Sequence, residues 1–153
     1  MEHRFTKDLL TIMKKFLILF IFSHILSISA ENKIPSKSEL DSVMLNAVKQ
    51  FNEQLAGLKI DEYTNIKYVT YDKNPPLFTY FYTTTALSYL KKDSLDQAQK
   101  DAMRKFNIPK TCSSQMKPLM KPYNLKVDHI FEDKNTGKVI YKLTVSHLDC
   151  EGK

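Results

Sequence analysis

The segment from Leu125 to Cys150 constrains the fold more than any other part of the chain. Apolar and polar side chains alternate along two short stretches, as in half-buried β-strands. The apolar rows are Leu125, Val127, His129 and Phe131, then Val139, Tyr141, Leu143 and Val145. Between them Gly137 supplies the positive φ that a hairpin closed by a G1 bulge requires. The segment therefore predicts a β-hairpin whose two apolar rows share one side of a sheet.

A helix and a second hairpin are predicted upstream. Apolar residues recur at helical spacing over residues 38–56, and the pattern opens on a capping box formed by Ser36 and Glu39. Gly57 is placed as a C-terminal cap. Residues 65–71 and 77–85 are rich in β-branched and aromatic residues and flank a proline-containing turn. These patterns predict a long helix followed by two paired strands.

A second capping box, at Ser94 and Gln97, opens another helix, which is expected to end at residues 107–109. A short helical segment is predicted over residues 111–120 before the final hairpin. The element order is then α-β-β-α-α-β-β. The chain is expected to be an α+β protein, with a four-stranded antiparallel sheet made of two hairpins and helices mainly on one face.

The first 30 residues have the pattern of a targeting sequence. Lys14 and Lys15 precede an apolar core of about 13 residues that begins at Phe16, and small residues lead to Ala30 before a polar segment. This pattern predicts a signal peptide over residues 1–30, with Met13 as an alternative start, and a single domain over residues 31–153. No cysteine lies in or just after the apolar run, so no lipid attachment is expected. An uncleaved membrane anchor is the alternative.

Two cysteines in an exported chain favour one structural disulfide, Cys112 to Cys150. The net charge of +6 comes from scattered lysines, and no Lys/Arg run exceeds two residues. A nucleic-acid-binding protein would concentrate its cations, so no nucleic-acid partner is expected. We interpret the lysines as a solvated face, and an acidic partner or an anionic membrane surface is the alternative.

No catalytic, metal or cofactor site is predicted. The expected mature chain has two histidines, His129 and His147, and they do not converge with a third ligand. The three glycines have capping, turn or tail roles, so no phosphate-binding loop is present.

Tyrosine is the one biased residue type. The candidate binding surface is an aromatic row on the sheet, formed by Tyr80 and Tyr82 with Tyr68 or Tyr71 joining from the neighbouring strand. Tyrosine combines apolar area with a hydroxyl group, which suits a recognition surface. Its preference for strands is the alternative explanation. Strand 77–85 carries large groups on both faces, so one row is expected to be exposed if helices cover a single side.

The C-terminal third resembles a group of small exported bacterial proteins. The resemblance lies in the helix opening on Cys112, the turn from Asp133 to Lys138 and the closing Asp149-Cys150. It implies an envelope location, a sheet-and-helix fold and the same disulfide, and it assigns no catalytic residue. Pilotins that chaperone secretins also include small disulfide-linked domains of this kind, but they are lipoproteins.

The function hypothesis is a non-catalytic periplasmic or secreted module that binds a protein partner in the cell envelope. An inhibitor or immunity-type protein that blocks an envelope enzyme is the alternative, and a small enzyme is the third. The oligomeric state does not follow from the sequence.

Overall fold

The computed structural model describes residues 34–114 and 116–151. The predicted signal peptide over residues 1–30 lies outside the described residues. The chain divides into two units between residues 43 and 44. The sheet and most of the helices belong to the second unit.

The first helix, α1, spans Lys37–Leu55. Its predicted capping box is confirmed: the Glu39 carboxylate accepts a hydrogen bond from the Ser36 backbone N–H at 2.6 Å, and Ser36 Oγ accepts from the Glu39 N–H at 3.3 Å. Gly57 follows the helix with φ +80°, a conformation that glycine adopts without strain. The local signals at both ends therefore set the helix length.

The remaining helices and strands follow the predicted order, with one additional short helix after β2, and the α+β class is confirmed. Strands β1 and β2 span Thr64–Lys73 and Pro76–Thr84, and strands β3 and β4 span Lys126–Asp133 and Val139–Val145. Between β2 and β3 lie helices α2 (Ala86–Leu90), α3 (Gln97–Cys112) and α4 (Lys117–Tyr123). A 3-10 helix, His147–Cys150, follows β4.

The sheet is mixed, so the expectation of a fully antiparallel sheet is wrong in this detail. The strand order is β1-β2-β3-β4, and each hairpin is antiparallel within itself. The central pair β2 and β3 is parallel. The helical connection between these strands is long enough to return the chain to the end of the sheet where β2 began, and β3 therefore runs in the same direction.

The C-terminal hairpin has the register that the sequence predicted. Val127 pairs with Val145, and Phe131 pairs with Tyr141. Gly137 has φ +68° and donates its N–H to the Asp133 carbonyl at 2.8 Å. The pairing shifts between Phe131 and Glu132, next to the turn. The alternation of side chains and the turn chemistry were enough to specify this pairing.

Helix α3 begins and ends later than the sequence predicted. Its capping box is formed by Asp96 and Gln99. Asp96 Oδ1 accepts from the Gln99 N–H at 2.9 Å, while Lys92 contacts the other carboxylate oxygen at 2.6 Å and lowers the Asp96 pKa. The helix then runs through Pro109 to Cys112. Pro109 lies in the last turn, where the missing N–H removes one hydrogen bond near a helix end.

A disulfide joins the end of α3 to the 3-10 helix. Cys112 and Cys150 are both buried, and their Cα atoms lie 5.2 Å apart. Arg104 and Asp149 form an ion pair at 2.8 Å between the same two elements. The C-terminal segment is thus held against α3 by a covalent bond and by a salt bridge.

The two faces of the sheet differ in what covers them. On the inner face, Phe51 of α1 packs edge-on against Tyr80 with ring centroids 5.7 Å apart, and Thr111 of α3 contacts His129. On the outer face, Tyr68 stacks on Phe81 with centroids 4.4 Å apart. Both of these outer rings are half-buried.

Asn52 of α1 binds the backbone of strand β1. Its side-chain amide donates to the Val69 carbonyl at 2.9 Å, and its Oδ1 accepts from the Val69 N–H at 2.7 Å. Val69 itself is fully buried. The amide therefore takes the place of a strand partner for both polar groups of this residue.

Replacing Asn52 with alanine should lower the free energy of unfolding by about 2 kcal/mol, because two backbone groups of a buried residue lose their partner. Urea denaturation measures the loss. Asn46→Ala on the exposed face of the same helix is the matched control and should change stability by less than about 0.5 kcal/mol. Equal losses in the two variants would show that the Val69 contacts contribute nothing specific.

Candidate functional site

A cleft of about 610 Å³ lies between the inner face of the sheet and helix α3. We call it the apolar cleft. Residues 60–63, in the loop that precedes β1, and the first residue of β1 form its third side. A concave volume of this size, lined largely by apolar groups, is typical of binding sites in proteins.

Helix α3 presents one side to this cleft because its lining residues recur at helical spacing. Ala102, Met103, Phe106 and Lys110 form this stripe along the helix, and Ser114 lines the cleft just after the helix ends. Phe106 is 54% exposed, which is unusual for a large apolar ring and places it at the lip. On the sheet side, the walls come from both central strands: Tyr80, Tyr82, Val127, His129 and Phe131.

The polar groups at the base of the cleft satisfy one another. The Tyr82 hydroxyl lies 3.0 Å from His129 Nδ1, and Thr111 Oγ1 lies 2.9 Å from His129 Nε2. All three residues are buried. Since each hydroxyl can donate or accept, a neutral imidazole is paired at both nitrogens. This cluster links α3 to β2 and β3 and holds the base of the cleft in one geometry.

Burial favours the neutral forms of this cluster. Desolvation lowers the pKa of His129 to about 4, with Asp128 opposing and Lys110 adding to the shift. Desolvation likewise raises the pKa of both Tyr80 and Tyr82 above the ordinary value for tyrosine. The His129 ring also lies nearly parallel to both tyrosine rings, with its centroid 5.3 Å from that of Tyr80 and 5.9 Å from that of Tyr82. At neutral pH the base of the cleft is therefore uncharged.

The charges of the cleft lie at its rim. Asp61 and Glu62 stand on the loop side, and Asp61 Oδ1 accepts from the backbone N–H groups of Tyr63 and Thr64 at 2.8 Å each. Lys110 stands on the helix side, and its ammonium lies 3.6 Å from the centroid of the Phe106 ring. The two lips thus carry opposite charges.

The structure separates the four tyrosines that the sequence grouped as a candidate surface. Tyr80 and Tyr82 line the apolar cleft, and Tyr82 is only 6% exposed. Tyr71 is also buried, whereas Tyr68 lies on the outer face. Alternation along β1 explains the split: Tyr68 and Tyr71 are three residues apart, so Tyr68 pairs with Phe81 on the outer face and Tyr71 pairs with Phe78 on the inner face. The expected open row through Tyr80 and Tyr82 thus lies against helices.

The sequence pattern predicted a helix through Ala102 and Phe106 without indicating a cleft, and Thr111 was expected only as a candidate start of the next short helix. The one local signal for the cleft is the large ring of Phe106 directly before the helix terminator predicted at residues 107–109. The role of Thr111 had no sequence signal, since it depends on the position of His129 in a strand that follows much later in the chain.

Within residues 34–114 and 116–151, no group of three or more His, Cys, Asp or Glu side chains is arranged to hold a metal ion. Among the same residues, no helix is long and apolar enough to cross a membrane.

Comparison with known proteins shows the fold. No protein-family model matches the chain, and no curated protein matches it. A protein of Pseudomonas aeruginosa described as a candidate secreted protein has a similar structure, with a TM-score of 0.59 and 12% identity over 78% of this chain and 100% of that one. The pilotin of the Vibrio vulnificus type 2 secretion system is also similar, with a TM-score of 0.51 and 14% identity over 74% of this chain and 96% of that one. At these identities the likeness is one of fold.

Proposed function

We propose that this chain is an exported, non-catalytic accessory module that binds a protein partner in the bacterial cell envelope. The observation that carries the proposal is the apolar cleft, whose base has its polar groups paired with one another. Such a site offers burial to apolar side chains and holds no unpaired His129 nitrogen for proton transfer. The binding energy would come from the apolar area that leaves water.

The charged residues at the rim of the apolar cleft restrict which partner segment can bind and in which orientation. An inserted segment would present apolar side chains to Tyr80, Met103 and Phe106. A basic residue on that segment would face Asp61 and Glu62, and an acidic residue would face Lys110. Opposite charges on the two lips favour one orientation of the segment over its reverse.

The export part of the proposal rests on the signal-peptide pattern over residues 1–30 and on the disulfide between Cys112 and Cys150. Both features are typical of chains that fold outside the cytoplasm. The fold is shared with a pilotin of a type 2 secretion system, which is compatible with an accessory role in the envelope. Of the four tyrosines predicted to bind, Tyr80 and Tyr82 keep that role in the proposal as part of the cleft wall.

Filling the cleft should abolish partner capture. Ala102 lines the cleft, so a tryptophan there would occupy the space that the partner's side chains need. A photo-crosslinking phenylalanine analogue at position 106 reports capture as a covalent adduct of defined mass. We expect Ala102→Trp to reduce the adduct at least tenfold, since lost insertion removes the central contacts of the interface.

The control for this experiment is Ala98→Trp, one turn earlier on the same helix and exposed outside the cleft. It should leave the adduct unchanged, and both variants should keep the melting temperature of the wild type. A second control places the crosslinker at Leu148, which is 66% exposed and does not line the cleft. An adduct that forms equally well in Ala102→Trp, or equally well from position 148, contradicts the proposed site.

A further inference from the structure

The two edge strands of the sheet, β1 and β4, differ in how far the chain itself occupies their outer backbone groups. Beside β1, the Gly57 N–H donates to the Ile66 carbonyl at 2.7 Å, and the Ile66 N–H donates to the Leu58 carbonyl at 2.9 Å. Further along, the Asn52 side chain binds both backbone groups of Val69. The first half of this edge is therefore closed to a further strand.

Two hydrogen bonds near the turn show which backbone groups of β4 face outward. The Lys134 N–H donates to a carbonyl of β2 at 2.9 Å, whereas the Asp133 N–H donates to the Lys138 carbonyl at 2.8 Å. Neighbouring residues of a strand direct their backbone groups to opposite sides, so the odd-numbered residues of β3 bond to β4. Their partners are residues 141, 143 and 145. The N–H and C=O groups of Lys142 and Thr144 therefore point away from β3, to the outer edge.

This outer edge of β4 is open. Within residues 34–114 and 116–151, the backbone groups of Lys142 and Thr144 have no hydrogen-bond partner, and both residues are exposed. Lysines often protect an edge strand, but the Lys142 ammonium lies 2.7 Å from Asp128 and is held over β3. The register shift lies next to the turn, so the pairing from Tyr141 to Val145 is regular. Regular, exposed and unpaired backbone of this kind is what a further strand binds.

The open edge adjoins the apolar cleft. Ile140 of β4 is one of the residues that line the cleft. The ring of Tyr141 lies 6.1 Å from that of Phe131, another lining residue, and helix α3 contacts β4. Side chains alternate between the two faces of a strand. A strand added to β4 would therefore direct one row of side chains toward α3 and the cleft, and the other row toward the outer face of the sheet.

Charge distinguishes a partner protein from a second copy of this chain. Residues 138–145 contain Lys138 and Lys142 and no acidic residue. Two β4 strands that paired edge to edge would bring the same lysines of both copies together, and like charges across a strand pair are destabilising. A strand with acidic residues in its outer row would complement these lysines instead.

We propose that the protein partner adds an extended segment to β4, with apolar side chains directed toward the apolar cleft and acidic side chains on the outer face. The backbone groups of Lys142 and Thr144 bond to the backbone of that segment, so main-chain hydrogen bonds contribute to the affinity and side chains supply the specificity. This inference rests on the proposed function, because it specifies how the same partner is held.

Amide hydrogen exchange of the full chain, followed residue by residue by NMR, tests the added strand. The probe is a soluble synthetic peptide in which glutamate alternates with valine. Saturating peptide should slow exchange of the Lys142 and Thr144 amides at least tenfold. The amides of Tyr141, Leu143 and Val145 bond to β3 and should exchange slowly with or without peptide, which makes them the internal control.

Two results of this exchange experiment would overturn the added strand. One is a peptide that does not bind, or that binds without slowing exchange at Lys142 and Thr144. The other is exchange at these two amides that slows in the free chain as protein concentration rises, because the occupant is then a second copy.

Val139→Pro tests the edge from the protein side. Val139 pairs with Glu132, an even-numbered residue of β3, so its N–H also points outward. Proline is compatible with the first position of a strand, and Val139 is 58% exposed, so folding is expected to be retained. Val139→Ala is the matched control, since it removes the same side chain and keeps the N–H. Proline should weaken peptide binding at least tenfold and alanine less than about threefold. Equal weakening would mean that the side chain and not the backbone binds, which overturns the proposal.

The added strand and the proposed function fail in different ways. A crosslinked adduct from position 106 that forms equally well in Val139→Pro and in the wild type retains a partner at the apolar cleft and overturns the added strand. Slowed exchange at Lys142 and Thr144, together with an adduct that Ala102→Trp does not reduce, retains the added strand and overturns the cleft as the site of the partner.

Discussion

Replacing Cys112 and Cys150 together with alanine should lower the free energy of unfolding by about 4 kcal/mol. The disulfide closes a loop of 38 residues, and in the chain-entropy account a loop of that length restricts the unfolded chain by about this amount. For a domain of this size the loss corresponds to a fall of about 15 °C in melting temperature. This is a large fraction of the stability that small domains possess.

Thermal denaturation followed by circular dichroism measures the fall. Wild-type protein under a reducing agent is the control, because it keeps both sulfur atoms and loses only the crosslink. It should fall almost as far as the double variant, and any difference reports the packing of the buried sulfurs. A shift of less than about 4 °C in both cases would mean that α3 and the C-terminal segment are held mainly by other contacts, such as Arg104 with Asp149.

Acidification should destabilise the protein through His129. In the folded chain burial lowers the pKa of this residue to about 4, while the unfolded chain keeps the ordinary value of 6.5. Between these two values the unfolded state binds a proton that the folded state does not. Stability should therefore fall as the pH drops from 6.5 to about 4, by up to about 3 kcal/mol, and this contribution should level off below the folded pKa.

The contacts of His129 also predict that protonation of its buried ring destabilises the folded chain. His129 is enclosed by the hydroxyls of Thr111 and Tyr82 and by the ring of Tyr80, and the charged groups that act on it are Asp128 and Lys110. Asp128 is already bonded to Thr144 Oγ1 at 2.6 Å and to the Lys142 ammonium at 2.7 Å. A buried imidazolium would therefore have two hydroxyls and no unengaged anion to stabilise it.

Urea denaturation across this pH range tests the assignment. The comparison variant carries Tyr82→Phe, Thr111→Val and His129→Phe together, which removes the titrating group and leaves no hydroxyl unpaired. Between pH 6.5 and 4, the free energy of unfolding of this variant should fall less than that of the wild type, because His129 no longer contributes. The carboxylates are present in both proteins, so their effect cancels when the two free energies are subtracted. His147→Gln should retain the wild-type profile. Identical profiles for wild type and triple variant would exclude His129 as the source.

The residues proposed to bind a partner show that a sequence pattern can identify side chains without determining what covers them in the folded chain. Tyr80 and Tyr82 are prominent in the sequence, and alternation correctly puts them on one face of β2. Which face the helices cover is not a property of the strand. It follows from the path of the long connection between β2 and β3, whose helix α3 lies against the face of His129. The apolar cleft therefore lies on the face of β2 that carries Tyr80 and Tyr82, which had been expected to be exposed to solvent.

Features with local causes could be predicted from the amino-acid pattern: the capping box at Ser36 and Glu39, the hairpin register around Gly137 and the α+β order of the chain. These depend on hydrogen bonds and side-chain periodicity within a few residues, which a pattern can report. The folded chain was needed to see the parallel pairing of β2 with β3, the contact of Asn52 with Val69 and the cluster of Tyr82, Thr111 and His129. Each joins residues well separated in the chain, and its geometry depends on how whole elements pack, because a side chain's local sequence carries no record of its distant partner.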